Sequence, residues 1–122
     1  MDSLSRRQLL NAYYREVSDV IVHKQNPISG LLPASTAVSV HGDYTDAWVR
    51  DNVYSILAVW GLSLAYRALD DDDGRGKELE GRTIHLMRGL LRSMMAQAHK
   101  VEAFKLSRHP RDALHAKYDT RT

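Results

Sequence analysis

Hydrophobic side chains recur at helical spacing in the first part of the chain. The positions that share one helical face are Leu10, Tyr13, Tyr14, Val17, Val20, Ile21 and Lys24. This spacing predicts an amphipathic helix from about Leu4 to His23. Asn26-Pro27 ends it, because proline disfavours the helical conformation of the residue before it. The following residues, Gln25 to Thr45, are rich in Pro, Gly, Ser and Thr and predict a long loop, of a length that is often functional.

A second predicted helix, from Arg50 to Leu69, is apolar on nearly every side rather than along one stripe. Its apolar positions are Val53, Ile56, Leu57, Val59, Trp60, Leu62, Leu64 and Ala65. A helix with this pattern has to be enclosed by other elements, because a partly exposed helix needs a polar face toward water.

A third helix is predicted after the acidic run Asp70 to Asp73 and its neighbouring glycines, which indicate a solvated turn. A mainly apolar face extends this helix from about Lys77 to Leu106 and is marked by Thr83, Met87, Leu90, Leu91, Met94, Ala98, Val101 and Phe104. His109-Pro110 closes it, and the polar remainder predicts irregular structure.

Three such helices leave a packing problem. The first and third each offer one apolar face, and two faces cannot cover the second helix on all sides. Each large apolar side chain left exposed forfeits about 1.5–3 kcal/mol of burial. We therefore expect either a piece of a larger helical domain or a stand-alone module that dimerises through the second helix.

Composition narrows the class of protein. The net charge of +2 is too small for a nucleic-acid-binding surface, and the absence of cysteine excludes disulfides and thiolate zinc sites. No signal-peptide pattern opens the chain. The longest charge-free apolar stretch, Asn52 to Tyr66, is shorter than the roughly 20 residues of a transmembrane helix. These features predict a soluble cytoplasmic protein that binds no nucleic acid.

The densest group of chemically active residues runs from Asp43 to Asn52, where the long loop meets the second helix. One interpretation is structural: Asp46 or Asp51 caps the helix or complements its dipole. The other is a sugar site, in which Trp48 offers an apolar platform and Arg50 and Asp51 supply donors and acceptors for vicinal hydroxyls. Sequence alone leaves both open.

Other candidate sites are weaker. The histidines lack metal-binding spacing, and none of the four glutamates resembles a catalytic acid, so we expect neither a metal nor a cofactor. Basic residues beside the Met-rich face of the third helix are also typical of calmodulin targets, although such a face is more often buried in its own domain.

Several segments resemble the N-terminal region of the phosphorylase kinase regulatory alpha and beta subunits. They are Gln25 to Pro27, Gly30 to Ser35, Asp46 to Leu62, Leu86 to Leu91 and Leu114 to Tyr118. That region belongs to the glycoside hydrolase family 15, or glucoamylase-like, class. The resemblance implies an all-α fold in which residues 1–122, with about three helices, are the opening part of an (α/α)6 toroid.

The resemblance also implies a ligand and site residues. Trp48 would stack on a terminal glucose, Arg50 and Asp51 would bind its hydroxyls, and Tyr44 would lie beside the reacting sugar carbon. The ligand would be an α-glucan or malto-oligosaccharide. By the same resemblance, residues 37–44 would be an insertion relative to the animal subunits, which makes the sequence look closer to microbial members of the class.

No catalytic residue is expected within the chain, since the family's two catalytic glutamates lie beyond Thr122. Two functions therefore follow from the resemblance. The parent protein either binds glucan ends or scaffolds a kinase assembly in glycogen metabolism, or it is an active inverting glucoamylase. A kinase catalytic subunit and calmodulin are the further partners implied, through segments C-terminal to this chain.

Overall fold

The computed structural model describes residues 2–33, 38–39, 42–43, 46–69, 73–114 and 117–120. The first helix, α1, spans Ser3–Val20, and a 3-10 turn at Val22–Lys24 follows it. Asp2 caps α1 by accepting a hydrogen bond from the Ser5 backbone N–H at 2.7 Å, which lowers the pKa of the Asp2 carboxyl. The predicted first helix is confirmed, with its last turn tightened to 3-10 geometry.

A compact turn follows α1. The Asn26 side chain accepts hydrogen bonds from the backbone N–H groups of Ile28 and Ser29, both at 2.9 Å. Gly30 has a φ of 80°, which glycine adopts without a steric penalty, and the Gln25 side chain donates to its carbonyl at 3.0 Å. These contacts give the first residues of the segment predicted as a loop a defined turn.

That segment is not wholly irregular. Strand β1, Val38–Ser39, pairs antiparallel with strand β2, Gly42–Asp43. The prediction of an uninterrupted loop from Gln25 to Thr45 is wrong at these four residues, because two-residue strands are too short to produce a periodic pattern.

Helix α2, Val49–Arg67, confirms the second predicted helix. Its buried side comprises Asn52, Ile56, Val59, Leu62, Ser63 and Tyr66, and it faces α1 and α3. Its other sides carry exposed large apolar residues, namely Val53, Tyr54, Leu57, Trp60 and Leu64. The described residues leave these sides of α2 uncovered, as the apolar pattern predicted.

The predicted third helix is divided in two. Helix α3 spans Arg75–Ala96 and helix α4 spans His99–Ser107. At the junction Gln97 leaves helical geometry, with φ −109° and ψ 16°, and its buried side chain donates to the Tyr118 hydroxyl at 2.7 Å. The prediction of a single helix from Lys77 to Leu106 is wrong. The apolar spacing continues across the break at Gln97, and the contact of Gln97 with Tyr118 gives no local sequence signal.

The last described residues are not irregular throughout, which corrects another prediction. A 3-10 turn occupies Pro110–Asp112, and strand β4, Lys117–Tyr118, pairs antiparallel with strand β3, Ala47–Trp48. Ala47 lies opposite Tyr118, and Trp48 lies opposite Lys117. This two-stranded ribbon brings the end of the chain to the start of α2.

The fold is therefore mainly helical, and the described residues contain four α-helices where the sequence predicted about three. Its core is one apolar cluster in which α2 packs chiefly against α3 and, to a lesser extent, α1. Beside this core, Ile56, Leu57, Trp60, Glu80, Thr83, Ile84 and Met87 line an apolar groove of about 370 Å³, which we name the α2–α3 groove. Within the described residues, the helices do not close into a ring.

Candidate functional site

The candidate site lies where β3 passes into α2. Successive strand residues point to opposite faces, so Ala47 is fully buried while the Trp48 side chain faces outward. Trp48 is also the N-cap residue of α2, in an extended conformation with φ −98° and ψ 137°. The indole is therefore fixed at a helix start and keeps 39% of its surface exposed.

Lys117 comes from the partner strand β4 and approaches this indole. Its Nζ lies 5.6 Å from the centroid of the Trp48 ring and 3.5 Å from Oδ2 of Asp46. The first distance is that of a cation–π contact, and the second is that of a partly exposed ion pair. Lys117 thus contacts the indole, and its ion pair with Asp46 holds the ammonium group in that position. The pairing of Lys117 with Trp48 had no local sequence signal, because the two residues are far apart in the chain.

Arg50 and Asp51 lie in the first turn of α2. Although they are neighbours in sequence, Nε of Arg50 is 3.9 Å from Oδ1 of Asp51, and the two side chains are 78% and 41% exposed. A guanidinium and a carboxylate are therefore presented together at the helix start that carries Trp48. Trp48, Arg50 and Asp51, which together we name the rim of α2, are all accessible to solvent. They include hydrogen-bond donors, acceptors and an apolar ring, the kinds of group that a sugar site uses.

The structural interpretation of the two aspartates holds in part. No side chain caps the N-terminus of α2 with a hydrogen bond, so Asp46 is not its cap and instead pairs with Lys117. Asp51 is the acidic residue of the first turn, where a negative charge complements the helix dipole. That role leaves the carboxylate exposed and able to accept hydrogen bonds. Tyr44, the fourth predicted site residue, lies outside the described residues.

Asn52 is the residue whose role sequence reasoning missed. It is fully buried, and its side-chain amide forms three hydrogen bonds to the backbone. Oδ1 accepts from the Leu32 N–H at 3.0 Å, while Nδ2 donates to the Leu32 carbonyl at 3.0 Å and to the Trp48 carbonyl at 2.9 Å. A polar amide among apolar helix positions was the available signal, because buried amides are almost always hydrogen-bonded.

The glutamates are engaged away from this site or exposed. Glu78 accepts hydrogen bonds from the Tyr14 hydroxyl, Glu80 pairs with Arg67, and Glu102 pairs with Lys105. Glu16 is exposed on α1. Across the part of the chain that the structure describes, no group of three or more acidic or histidine side chains is arranged to hold a metal ion. In that same part, no helix is both long and apolar enough to cross a membrane.

The geometry defines a mainly helical protein with an aromatic and charged rim at one helix start, and comparison with known proteins gives its class. The model of the glycosyl hydrolases family 15 matches residues 8–122. The chain therefore belongs to this family.

The individual proteins that it resembles are regulatory subunits of phosphorylase b kinase. It is 54% identical over 116 residues to the regulatory subunit alpha, skeletal muscle isoform, of Oryctolagus cuniculus, and 52% identical over 116 residues to the liver isoform of Mus musculus. Each alignment covers 93% of this chain and 9% of the relative. The probable regulatory subunit beta of Drosophila melanogaster is 41% identical over 113 residues, which are 93% of this chain and 10% of that protein.

These matches confirm the resemblance that the sequence motifs indicated. They also set its extent, since the chain spans about a tenth of the length of these relatives.

Proposed function

We propose that this chain is the opening arc of an (α/α)6 toroid in a phosphorylase kinase regulatory-subunit-like protein, and that the rim of α2 binds the end of an α-glucan. Membership of the glycosyl hydrolases family 15 supports the toroid, and similarity to phosphorylase b kinase subunits supports a role in glycogen metabolism in the cytoplasm. The observation that carries the glucan site is the joint exposure of Trp48, Arg50 and Asp51 at one helix start.

The chemistry of the rim suits a glucose unit. The exposed part of the Trp48 indole stacks against the C–H face of the sugar ring. Arg50 donates to hydroxyl oxygens, and Asp51 accepts from hydroxyl hydrogens, so adjacent hydroxyls are recognised as a pair. Tyr44 completes the site by family resemblance. Lys117 holds the indole in place through its contact with the ring and its ion pair with Asp46.

The toroid accounts for the uncovered apolar surface. Leu57 and Trp60 of α2, with Ile84 and Met87 of α3, line the α2–α3 groove and expose between 41% and 54% of their surfaces. Later helices of the parent protein cover this groove in the proposed ring. In a kinase assembly the same protein acts as a scaffold for a kinase catalytic subunit, with calmodulin bound through segments outside this chain.

A second function follows from the family itself, whose description is that of hydrolases. Inverting hydrolysis needs a general acid and a general base about 6.5–9.5 Å apart, with a water molecule between the base and the sugar. If the complete protein carries two suitably placed glutamates, it releases glucose from malto-oligosaccharides. If it only binds glucan, no glucose is released at any enzyme concentration.

The binding proposal is tested by titrating maltoheptaose into the complete protein in a calorimeter. We expect Trp48→Ala and Asp51→Asn each to weaken binding about 10- to 100-fold, since a hydrogen bond to a charged group contributes about 1.5–3 kcal/mol and stacking a similar amount. Tyr54→Ala is the matched control, because Tyr54 is a 68% exposed aromatic residue on the same helix outside the rim. Unchanged affinity in both rim variants would contradict the glucan site.

A further inference from the structure

The amide of Asn52 holds two segments that border the proposed glucan site. It binds the backbone N–H and carbonyl of Leu32, and it also binds the carbonyl of Trp48, whose indole is the proposed platform for the sugar. One buried side chain, that of Asn52, therefore connects the backbone of Leu32 to the backbone of Trp48. Leu32 and Trp48 are far apart in the sequence, yet their backbones bind the same amide.

The three hydrogen bonds use the amide in only one orientation. The Leu32 N–H is a donor and requires the Asn52 oxygen, whereas the two carbonyls are acceptors and require its NH₂ group. Both amide hydrogens and one oxygen lone pair are thus used. Because the residue is fully buried, removing the amide takes from these three backbone groups the partner that they have in the folded protein.

The neighbouring residues reinforce this arrangement without replacing it. Leu31 and Leu32 are buried in the core, and Ala47 is fully buried beside Trp48. Burial keeps Leu31, Leu32 and Ala47 in the core. Apolar contacts are non-directional, so they do not by themselves set how the backbone at Leu32 is aligned with the backbone at Trp48. The directional bonds of Asn52 set that register.

We propose that Asn52 is a positioning residue for the glucan site, acting on Trp48 by joining its backbone to that of Leu32, without touching the sugar. The inference rests on the proposed function for its ligand, and on the hydrogen bonds alone for its mechanical part. A displacement of about 1 Å in a residue that contacts the ligand is enough to reduce function strongly, and here the function measured is the affinity for the sugar.

The test compares variants of the complete protein by maltoheptaose titration and by hydrogen exchange of peptides covering residues 29–33 and 46–50. Asn52→Ala removes all three bonds. Asn52→Asp preserves the shape and the bond from the Leu32 N–H, but it places an oxygen against two carbonyls. Ser63→Ala is the matched control, since Ser63 is also buried on α2 and donates to a backbone carbonyl, that of Gly76, at 2.8 Å.

We expect both Asn52 variants to bind maltoheptaose at least about tenfold more weakly at temperatures where they remain folded. Both peptides should exchange faster in these variants, while Ser63→Ala should change neither affinity nor exchange at these peptides. An Asn52→Ala protein with lowered thermal stability but parental affinity and parental exchange would overturn the proposal, because the amide would then be merely structural.

Two further outcomes keep the inference separate from the proposed function. If the unsubstituted protein does not bind maltoheptaose, the glucan site is refuted. The positioning role is then judged by hydrogen exchange only, and faster exchange at residues 46–50 in the Asn52 variants supports it. If neither Asn52 variant folds, exchange in the unsubstituted protein decides. A slowly exchanging Leu32 amide supports the proposal, and a rapidly exchanging one overturns it.

Discussion

Tyr14 shows how one side chain connects α1 to α3. Its hydroxyl donates to both oxygens of Glu78, at 2.8 and 2.9 Å, and the Arg75 guanidinium lies 4.3 Å above its ring. Arg75 also donates to Asn11, which accepts a second bond from Tyr66 of α2. Burial raises the pKa of the Tyr14 hydroxyl, and the hydrogen bond to Glu78 raises it further. The neutral phenol is thus the form that the folded protein favours.

Replacing Tyr14 with phenylalanine should lower the free energy of unfolding by about 1 kcal/mol near neutral pH, a value reduced by partial exposure to solvent. The raised pKa gives this difference a pH dependence. It is fully present below about pH 10, the ordinary pKa of tyrosine, and is lost as the pH rises through the higher folded pKa. Urea unfolding of the complete protein and its Tyr14→Phe variant, from pH 7 to 11, measures it. A difference that grows with pH would contradict the assignment.

Individual site residues were predictable to different degrees. Trp48, Arg50 and Asp51 could be named from the sequence because they are adjacent and chemically distinctive, although their role in binding stays a prediction. Lys117 could not be paired with Trp48, since no pattern of hydropathy reveals which two short strands meet. The role of Asn52 was missed because its partners are backbone groups, one pair of which lies 20 residues away.

Among the elements, the turn after α1 and helix α3 approach each other closely through their backbones. A Cβ atom at Gly89 would collide with the Ser29 carbonyl, and one at Gly30 would collide with the His85 carbonyl. The turn therefore lies directly on the α3 backbone, and two glycines permit it. Ser29 in turn donates to the Thr120 carbonyl at 2.6 Å, so this contact also supports the chain beyond β4.

Gly89→Ala should consequently destabilise the protein by about 1–3 kcal/mol, because the backbone of the turn has to move. Gly81→Ala in the same helix is the matched control, since its Cβ would meet no atom within 4 Å. Alanine should stabilise the helix there by about 0.5–1 kcal/mol. Urea unfolding measures the free energy of unfolding of the two variants. Equal changes of the same sign in both would refute the close approach at Gly89.

Helix types were predictable and helix boundaries less so. Apolar spacing identified α1 and α2 to within a few residues, but it merged α3 with α4, because both helices keep apolar residues in phase across Gln97. The strands β3 and β4 were absent from the prediction. Two-residue strands gain their hydrogen bonds from tertiary pairing, and this leaves no alternation for a sequence pattern to detect.

At the scale of the whole molecule, the exposed α2–α3 groove distinguishes an arc of a ring from a stand-alone module. Trp60, one of its lining residues, is 49% exposed in this chain. If later helices cover the groove, Trp60→Ser in the complete protein removes a buried indole and lowers the free energy of unfolding by about 3 kcal/mol or more. Thermal or urea unfolding measures this, and an unchanged stability would contradict the ring.

The alternative of a dimerising module makes the opposite prediction for residues 1–122 expressed alone. An arc with an uncovered groove should associate without a defined stoichiometry, because large exposed apolar surfaces promote aggregation. Sedimentation velocity distinguishes the cases. A compact dimer that unfolds cooperatively would favour the module, and it would remove the packing argument for missing neighbours.

The β3–β4 ribbon has a consequence for biosynthesis. Trp48 meets its supporting strand only after Lys117 and Tyr118 have been translated. At roughly 5–20 residues per second, the ribosome needs several seconds to make the intervening stretch. During that interval the nascent polypeptide carries an unsupported indole beside an apolar helix, which is the kind of surface that a ribosome-associated chaperone recognises.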